Sequence, residues 1–90
     1  MYKIRYSKLA LTQISYLRKS NASGYRKLSK IVAELSLHPR KGTGKPERLK
    51  YQSTEIWSRR IDKKNRITYT ICDEFVIVEV LSVLGHYEDK

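Results

Sequence analysis

The sequence is poor in the residues that usually settle a small protein's chemistry. It has one cysteine, Cys72, so an intramolecular disulfide is excluded and a Cys-based zinc site cannot be completed within the chain. Its two histidines, His38 and His86, stand far apart, which argues against a His-based metal site; neither a metal nor another cofactor is expected. No apolar run approaches the ~20 residues of a membrane span. The opening MYKIRYSK lacks the apolar stretch of a secretory leader, which points to a cytoplasmic protein without a membrane partner. There is no internal repeat and no low-complexity segment. Acids are scarce as well, 9 against 19 Lys and Arg, for a formal net charge of +10.

What is present suits a folded domain. Ninety residues fit one unit, 1–90. A domain of that size buries roughly 60–65% of its surface, so every apolar position is needed. Hydrophobic residues make up 40% of the chain, with seven tyrosines, too apolar and too patterned for disorder. The charge is lopsided. All but one of the Lys and Arg residues precede Cys72, where the only acids are Glu34, Glu47, Glu55 and Asp62; the other five acids follow it. Such a field attracts polyanions. Charge alone does not separate nucleic acid from an acidic protein.

Hydropathy periods give an element order. Tyr2, Ile4 and Tyr6 alternate with Lys3 and Arg5 as in a short strand. Ser7 can cap a helix running to about Ser20, and Arg18 and Lys19 suit its C-terminal end. Asn21-Ala-Ser-Gly24 breaks the pattern. Tyr25, Leu28, Ile31, Val32 and Leu35 then mark one face of a second helix, expected to stop near His38, before Pro39. A basic Gly/Pro loop, Pro39–Pro46, leads to a strand-like Glu47–Gln52. Ile56–Asp62 and Arg66–Cys72 read as a hairpin closed by Lys63-Lys64-Asn65. After a turn at Asp73-Glu74, Phe75–Leu84 is nearly continuous apolar sequence, suited to an interior strand. The fold class is therefore α+β, βααββββ, with two N-terminal helices packed on one face of a mostly antiparallel sheet.

Period-two parity separates the two sheet faces. Ile67, Tyr69 and Ile71 point to the helices; Arg66, Thr68 and Thr70 point away, with Cys72 sharing their parity. Trp57 and Ile61 belong to the core side, leaving Ser58 and Arg60 opposite. Arg59 has core parity and is expected to snorkel at an edge. Arg60 is the better candidate for an open, working face. His38, at a helix C-terminus, reads as a cap.

Gly42–Lys50 (GTGKPERLK), Trp57–Ile61 (WSRRI), Asn65–Tyr69 (NRITY) and the terminal His86-Tyr87 resemble the Txe/YoeB toxins of the RelE superfamily, across essentially the whole chain. That resemblance implies the RelE-like microbial RNase fold and a ribosome-dependent, metal-independent mRNA endoribonuclease. It implies as partners the ribosome and mRNA, a cognate acidic antitoxin of the YefM/Axe kind, and a second toxin chain. Three departures stand out: a first helix reading LTQISYL, where the family is more acidic and Trp-rich, a longer last strand, and Glu88-Asp89-Lys90 after Tyr87.

The chemistry such cleavage requires can be assigned to residues of this chain. A base must take the ribose 2′-OH proton, cations must stabilise the phosphorane, and an acid must protonate the departing 5′-oxygen. Glu47 matches the family's base position. It is also the only carboxylate between Glu34 and Glu55, set among Arg40, Lys41, Lys45, Arg48 and Lys50. Arg66 offers a planar fork to two phosphate oxygens. His86 has the side chain that can donate a proton near neutral pH. Lys50, Arg60 and Lys45 are expected to hold phosphates, and Tyr87 to stack on a base or orient a phosphate. Two other readings share the resemblance or the charge: a ParE-type toxin that binds DNA gyrase without turnover, and a basic RNA-binding module.

Overall fold

Ser7 closes the first strand and opens the first helix. Its Oγ accepts from the Ala10 N–H (2.9 Å) and donates to the Leu81 carbonyl (2.8 Å), while its own N–H donates to Val80 (3.0 Å). The computed structural model describes residues 1–50 and 53–85. Its elements are β1 (Lys3–Tyr6), α1 (Lys8–Ser20), α2 (Ala22–Leu35), β2 (Glu47–Arg48), β3 (Ile56–Arg60), β4 (Arg66–Cys72) and β5 (Ile77–Ser82). The order is the expected βααββββ.

Asn21 is the hinge between the helices. Its N–H donates to Leu17 at the end of α1, and its side chain accepts from the Gly24 N–H (2.9 Å) to start α2. α2 ends at Leu35, short of the expected His38, because the N–H groups of Leu37 and His38 both turn back to the Glu34 carbonyl. Leu28, Ile31 and Leu35 form its buried stripe. Each such side chain contributes about 1.5–3 kcal/mol on burial.

The strands form one sheet in the order β1-β5-β4-β3-β2, antiparallel except for the parallel pair β1–β5. Ile67, Tyr69, Val78 and Val80 line its helix-facing side and are fully buried with Leu17, Ile31 and Leu35. Parity thus assigns this face as expected. Several strands are shorter than the sequence suggests: β1 starts at Lys3 and β3 stops at Arg60 rather than Asp62, and β2 and β5 differ more. β2 has two residues, after which only the Leu49 N–H still reaches Ile56 (2.8 Å); Tyr51 and Gln52 lie outside the described residues. β5 starts at Ile77, because Phe75 and Val76 belong to the preceding turn: the Val76 N–H returns to Asp73, and Val76 holds a φ of 55°.

Candidate active site on the open face of the sheet

Strand register decides which polar side chains meet on the side away from the helices. Residues directly opposite in antiparallel strands share a face. Glu47 of β2 lies opposite Ser58 of β3, and Ser58 opposite Thr68 of β4. One step along, Arg60 faces Arg66. An Arg66 Nη1 donates to Ser58 Oγ at 3.2 Å. Glu47 and Arg66, far apart in sequence, therefore converge on Ser58. Glu47 and Arg60 are exposed, Arg66 is half-buried, and Ser58 and Thr68 are almost fully covered. Sequence parity puts Ser58 on this face, but only the register shows it as the meeting point.

The remaining candidates are placed unevenly. Lys45 is exposed with a φ of 52° in the loop before β2. The Gly44 carbonyl just before it accepts from the Arg60 N–H (2.6 Å), which sets Lys45 beside the Arg60 backbone. Lys50 is exposed beyond the last β2 pair, and no hydrogen bond among the described residues joins it to Glu47 or Arg66. His86 and Tyr87 lie outside the described residues. The preceding residue is held at the site: Gly85 donates its N–H to Asn65 Oδ1 (3.0 Å) and accepts from the Arg66 N–H (3.1 Å).

Arg59 does not snorkel at an edge. It is wholly buried. Its Nε donates to the Tyr69 hydroxyl (3.0 Å), one Nη to Glu34 Oε1 (2.9 Å) and to the Thr43 carbonyl (3.4 Å), and the other to the carbonyls of His38 (2.6 Å) and Lys41 (2.9 Å). A guanidinium can be buried when its donors are met in this way. The Tyr69 hydroxyl passes the chain on to the Pro39 carbonyl (2.8 Å). Glu34 also accepts from the Thr43 N–H (2.7 Å) and hydroxyl (2.6 Å). Burial pushes the Glu34 carboxyl up, but the Thr43 hydrogen bonds and the Arg59 charge outweigh it and hold it below its ordinary value. The Pro39–Pro46 loop is thus folded around one buried cation.

The two glycines of GTGKP fit that packing. Gly42, at φ 132°, lies where a Cβ would collide with Glu34 Oε1, and Gly44, at φ 88°, where a Cβ would come 2.8 Å from the Arg60 carbonyl. Only glycine takes both conformations without strain.

Arg40 is also committed to structure. It bridges Glu55 (2.8 Å) and Asp73 (2.8 Å), and Glu55 accepts from Trp57 Nε1 (2.7 Å). The Arg40 hydrogen bond is the main cause holding the Glu55 carboxyl down, and the same guanidinium lowers Asp73. Among the described residues no three His, Cys, Asp or Glu side chains gather as metal ligands, and no helix is long and apolar enough to cross a membrane.

Two helices on a five-stranded mixed sheet, with Glu47, Arg60 and Arg66 on its open face, define a toxin of the bacterial type II toxin–antitoxin class. The chain belongs to the YoeB-like toxins of those systems, whose family model matches residues 6–87. It is 28% identical to a Toxin YoeB from Synechocystis over 96% of this chain and 98% of that one. It is similar to the YoeB dimer from Staphylococcus aureus, with a TM-score of 0.84 and 28% identity over 96% of this chain and 98% of the other. It is also similar to a chain of the YoeB–YefM complex from the same organism, with a TM-score of 0.80 and 28% identity over 97% and 99%.

Proposed function

We propose that this toxin is a ribosome-dependent endoribonuclease that cuts mRNA in the A site without a metal, and so works in the cytoplasm. The convergence of Glu47 and Arg66 on Ser58 carries this reading, because it puts a carboxylate and a phosphate-binding fork on one open face. Glu47 takes the proton from the ribose 2′-OH, whose oxygen attacks the adjacent phosphorus as the bond to the 5′-oxygen breaks. Arg66, with Arg60 and Lys45 nearby, meets the charge that grows on the phosphorane oxygens. His86 returns a proton to the departing 5′-oxygen, and the Gly85 clamp supports its role by starting that segment beside Arg66. Tyr87 and Lys50 contact the RNA.

A cognate antitoxin with an acidic, partly disordered tail that folds on the basic surface is the partner this chemistry calls for. The S. aureus structures, a YoeB dimer and a YoeB–YefM complex, support pairing of this chain with such an antitoxin and with itself. The test is cleavage on programmed ribosomes, in the Mg2+ that keeps them assembled, of mRNA carrying oxygen or sulfur at a non-bridging position of the scissile phosphate, by wild type and Glu47→Gln. Wild type should cut the oxygen message and the variant should not, and added Mn2+ or Cd2+ should not speed cutting of the sulfur message. Equal cutting by the variant would remove Glu47 as base; rescue by the thiophilic metal would overturn the metal-free mechanism.

A further inference from the structure

A cleft of about 530 Å³ opens between the end of α1 and the β3–β4 turn. Tyr16, Leu17, Leu84, Lys63, Lys64 and Asn65 line it. It is separate from the Glu47 face but touches it at Asn65, whose side chain holds Gly85 next to the Arg66 backbone. Its volume lies in the range of small-ligand sites and suits one nucleotide better than a length of peptide.

The lining has two kinds of surface. Leu17 is fully buried and Leu84 half-buried, making an apolar floor, while the Tyr16 ring stands 61% exposed on the wall. Lys63 and Lys64 are exposed at the rim, and neither forms a salt bridge among the described residues. The one acid in the lining, Asp62, does not neutralise them. Its Oδ1 accepts from the N–H groups of Lys64 (2.9 Å) and Asn65 (2.8 Å), and its Oδ2 from the side chains of Asn21 (3.1 Å) and Asn65 (3.3 Å). The acid thus builds the turn that presents the two lysines.

We propose that this cleft is an RNA subsite. It takes one unpaired nucleotide flanking the cut, its base against Tyr16 and its phosphates on Lys63 and Lys64. An exposed ring beside cations that form no salt bridge among the described residues is the arrangement that binds single-stranded nucleic acid, and contact with the Arg66 segment puts the subsite within reach of the same strand. The proposal rests on the endoribonuclease reading.

The experiment uses ribosomes programmed with an mRNA carrying a 2′-O-methyl group at the cut nucleotide. Such a message cannot be cleaved, so binding is read apart from catalysis. A single abasic nucleotide is scanned through the flanking positions. Tyr16→Ala should weaken equilibrium binding roughly 5- to 100-fold, the range of one lost base stack, and Tyr16→Phe should restore it. At one flanking position the abasic message should weaken wild-type binding equally and Tyr16→Ala no further, the non-additivity expected of partners. Lys63→Ala with Lys64→Ala should reduce the salt dependence of binding by one to two phosphate contacts. Wild-type binding by these variants, or abasic effects that add to Tyr16→Ala at every position, would overturn the subsite. Weakened binding only to an acidic antitoxin peptide would reassign the cleft to that partner. Failure of the Glu47 cleavage test would count against the mechanism alone.

Discussion

Arg59 and Arg60 are adjacent in β3 and carry the same charge, yet the pleat gives them opposite work. Arg59 turns into the helix side, loses all contact with water and meets five hydrogen-bond acceptors. Arg60 turns to the open side, stays exposed and forms no salt bridge among the described residues. The difference shows why a net charge of +10 overstates the field available to RNA. Arg59 and Arg40 hold the scaffold, whereas Arg60 forms no salt bridge among the described residues and stands open to phosphate.

The contrast is sharpened most by separating rate from stability. Glu47→Gln should slow cleavage by ~10²–10⁴-fold, the usual worth of a general base, with an unchanged melting temperature because Glu47 is exposed. Single-turnover cleavage at saturating toxin measures it. A full wild-type rate would empty the open face of its base.

The two arginines themselves come next. Arg59→Met should destabilise by about 3–5 kcal/mol, since it strands Glu34, Tyr69 and three loop carbonyls. Arg60→Met should shift stability by no more than about 0.5 kcal/mol and act on RNA affinity. Urea unfolding with parallel RNA-binding titrations compares the pair. Equal destabilisation would abolish the distinction drawn between them.

Acid should reveal the buried side more gently. The folded Glu34 carboxyl lies below its ordinary value of 4.5 because the Thr43 bonds and Arg59 outweigh the opposing effect of burial. A lowered folded value means that its stabilisation is complete above about pH 4.5 and is lost as pH falls through the folded value. Glu55, Asp62 and Asp73 act in the same direction. Stability should therefore decline below that pH, and Glu34→Gln should make the decline shallower. Thermal melts across pH 2–7 read the slope.

The smallest effect belongs to the loop lysines. Lys41 and Lys45 are exposed, so replacing both with Ala should leave the melting temperature within error. It should flatten the fall of ribosome or RNA affinity with salt by up to two phosphate contacts. An unchanged slope would take the loop out of the RNA interface.

Local signals in the sequence carried much of the architecture. Ser7, Asn21 and the Leu28–Ile31–Leu35 stripe mark the helices by capping and period, and RITYTIC marks β4 by strict alternation. The misread segments depend on distant partners. Phe75 and Val76 are apolar enough for a strand, but β1 and β4 pair with β5 only from Ile77 onward. β2 is cut to two residues by the pairing it finds on β3. Arg59 has the parity of a core residue, but its salt-bridge partner lies 25 residues away and its farthest loop carbonyl 21. At the site, motif resemblance pointed to Glu47 and Arg66 individually; their meeting at Ser58 follows only from register. The Tyr16 cleft left no legible trace, because its walls come from a helix end and a hairpin turn far apart in the chain.

The parallel pairing of β1 with β5 also governs when the molecule can exist. The Ser7 hydroxyl bonds to Leu81, 74 residues downstream, and among the described residues β5 is the only sheet neighbour of β1. Contacts of such span form late and slowly. During synthesis from the N-terminus, α1 and α2 emerge first, with the apolar stripe of Leu28, Ile31 and Leu35 still lacking most of its sheet. The sheet that bears Glu47 and Arg66 is complete only after Ser82 has cleared the exit tunnel. A nascent chain still short of that point thus holds its open face unbuilt, whatever part of it has already emerged.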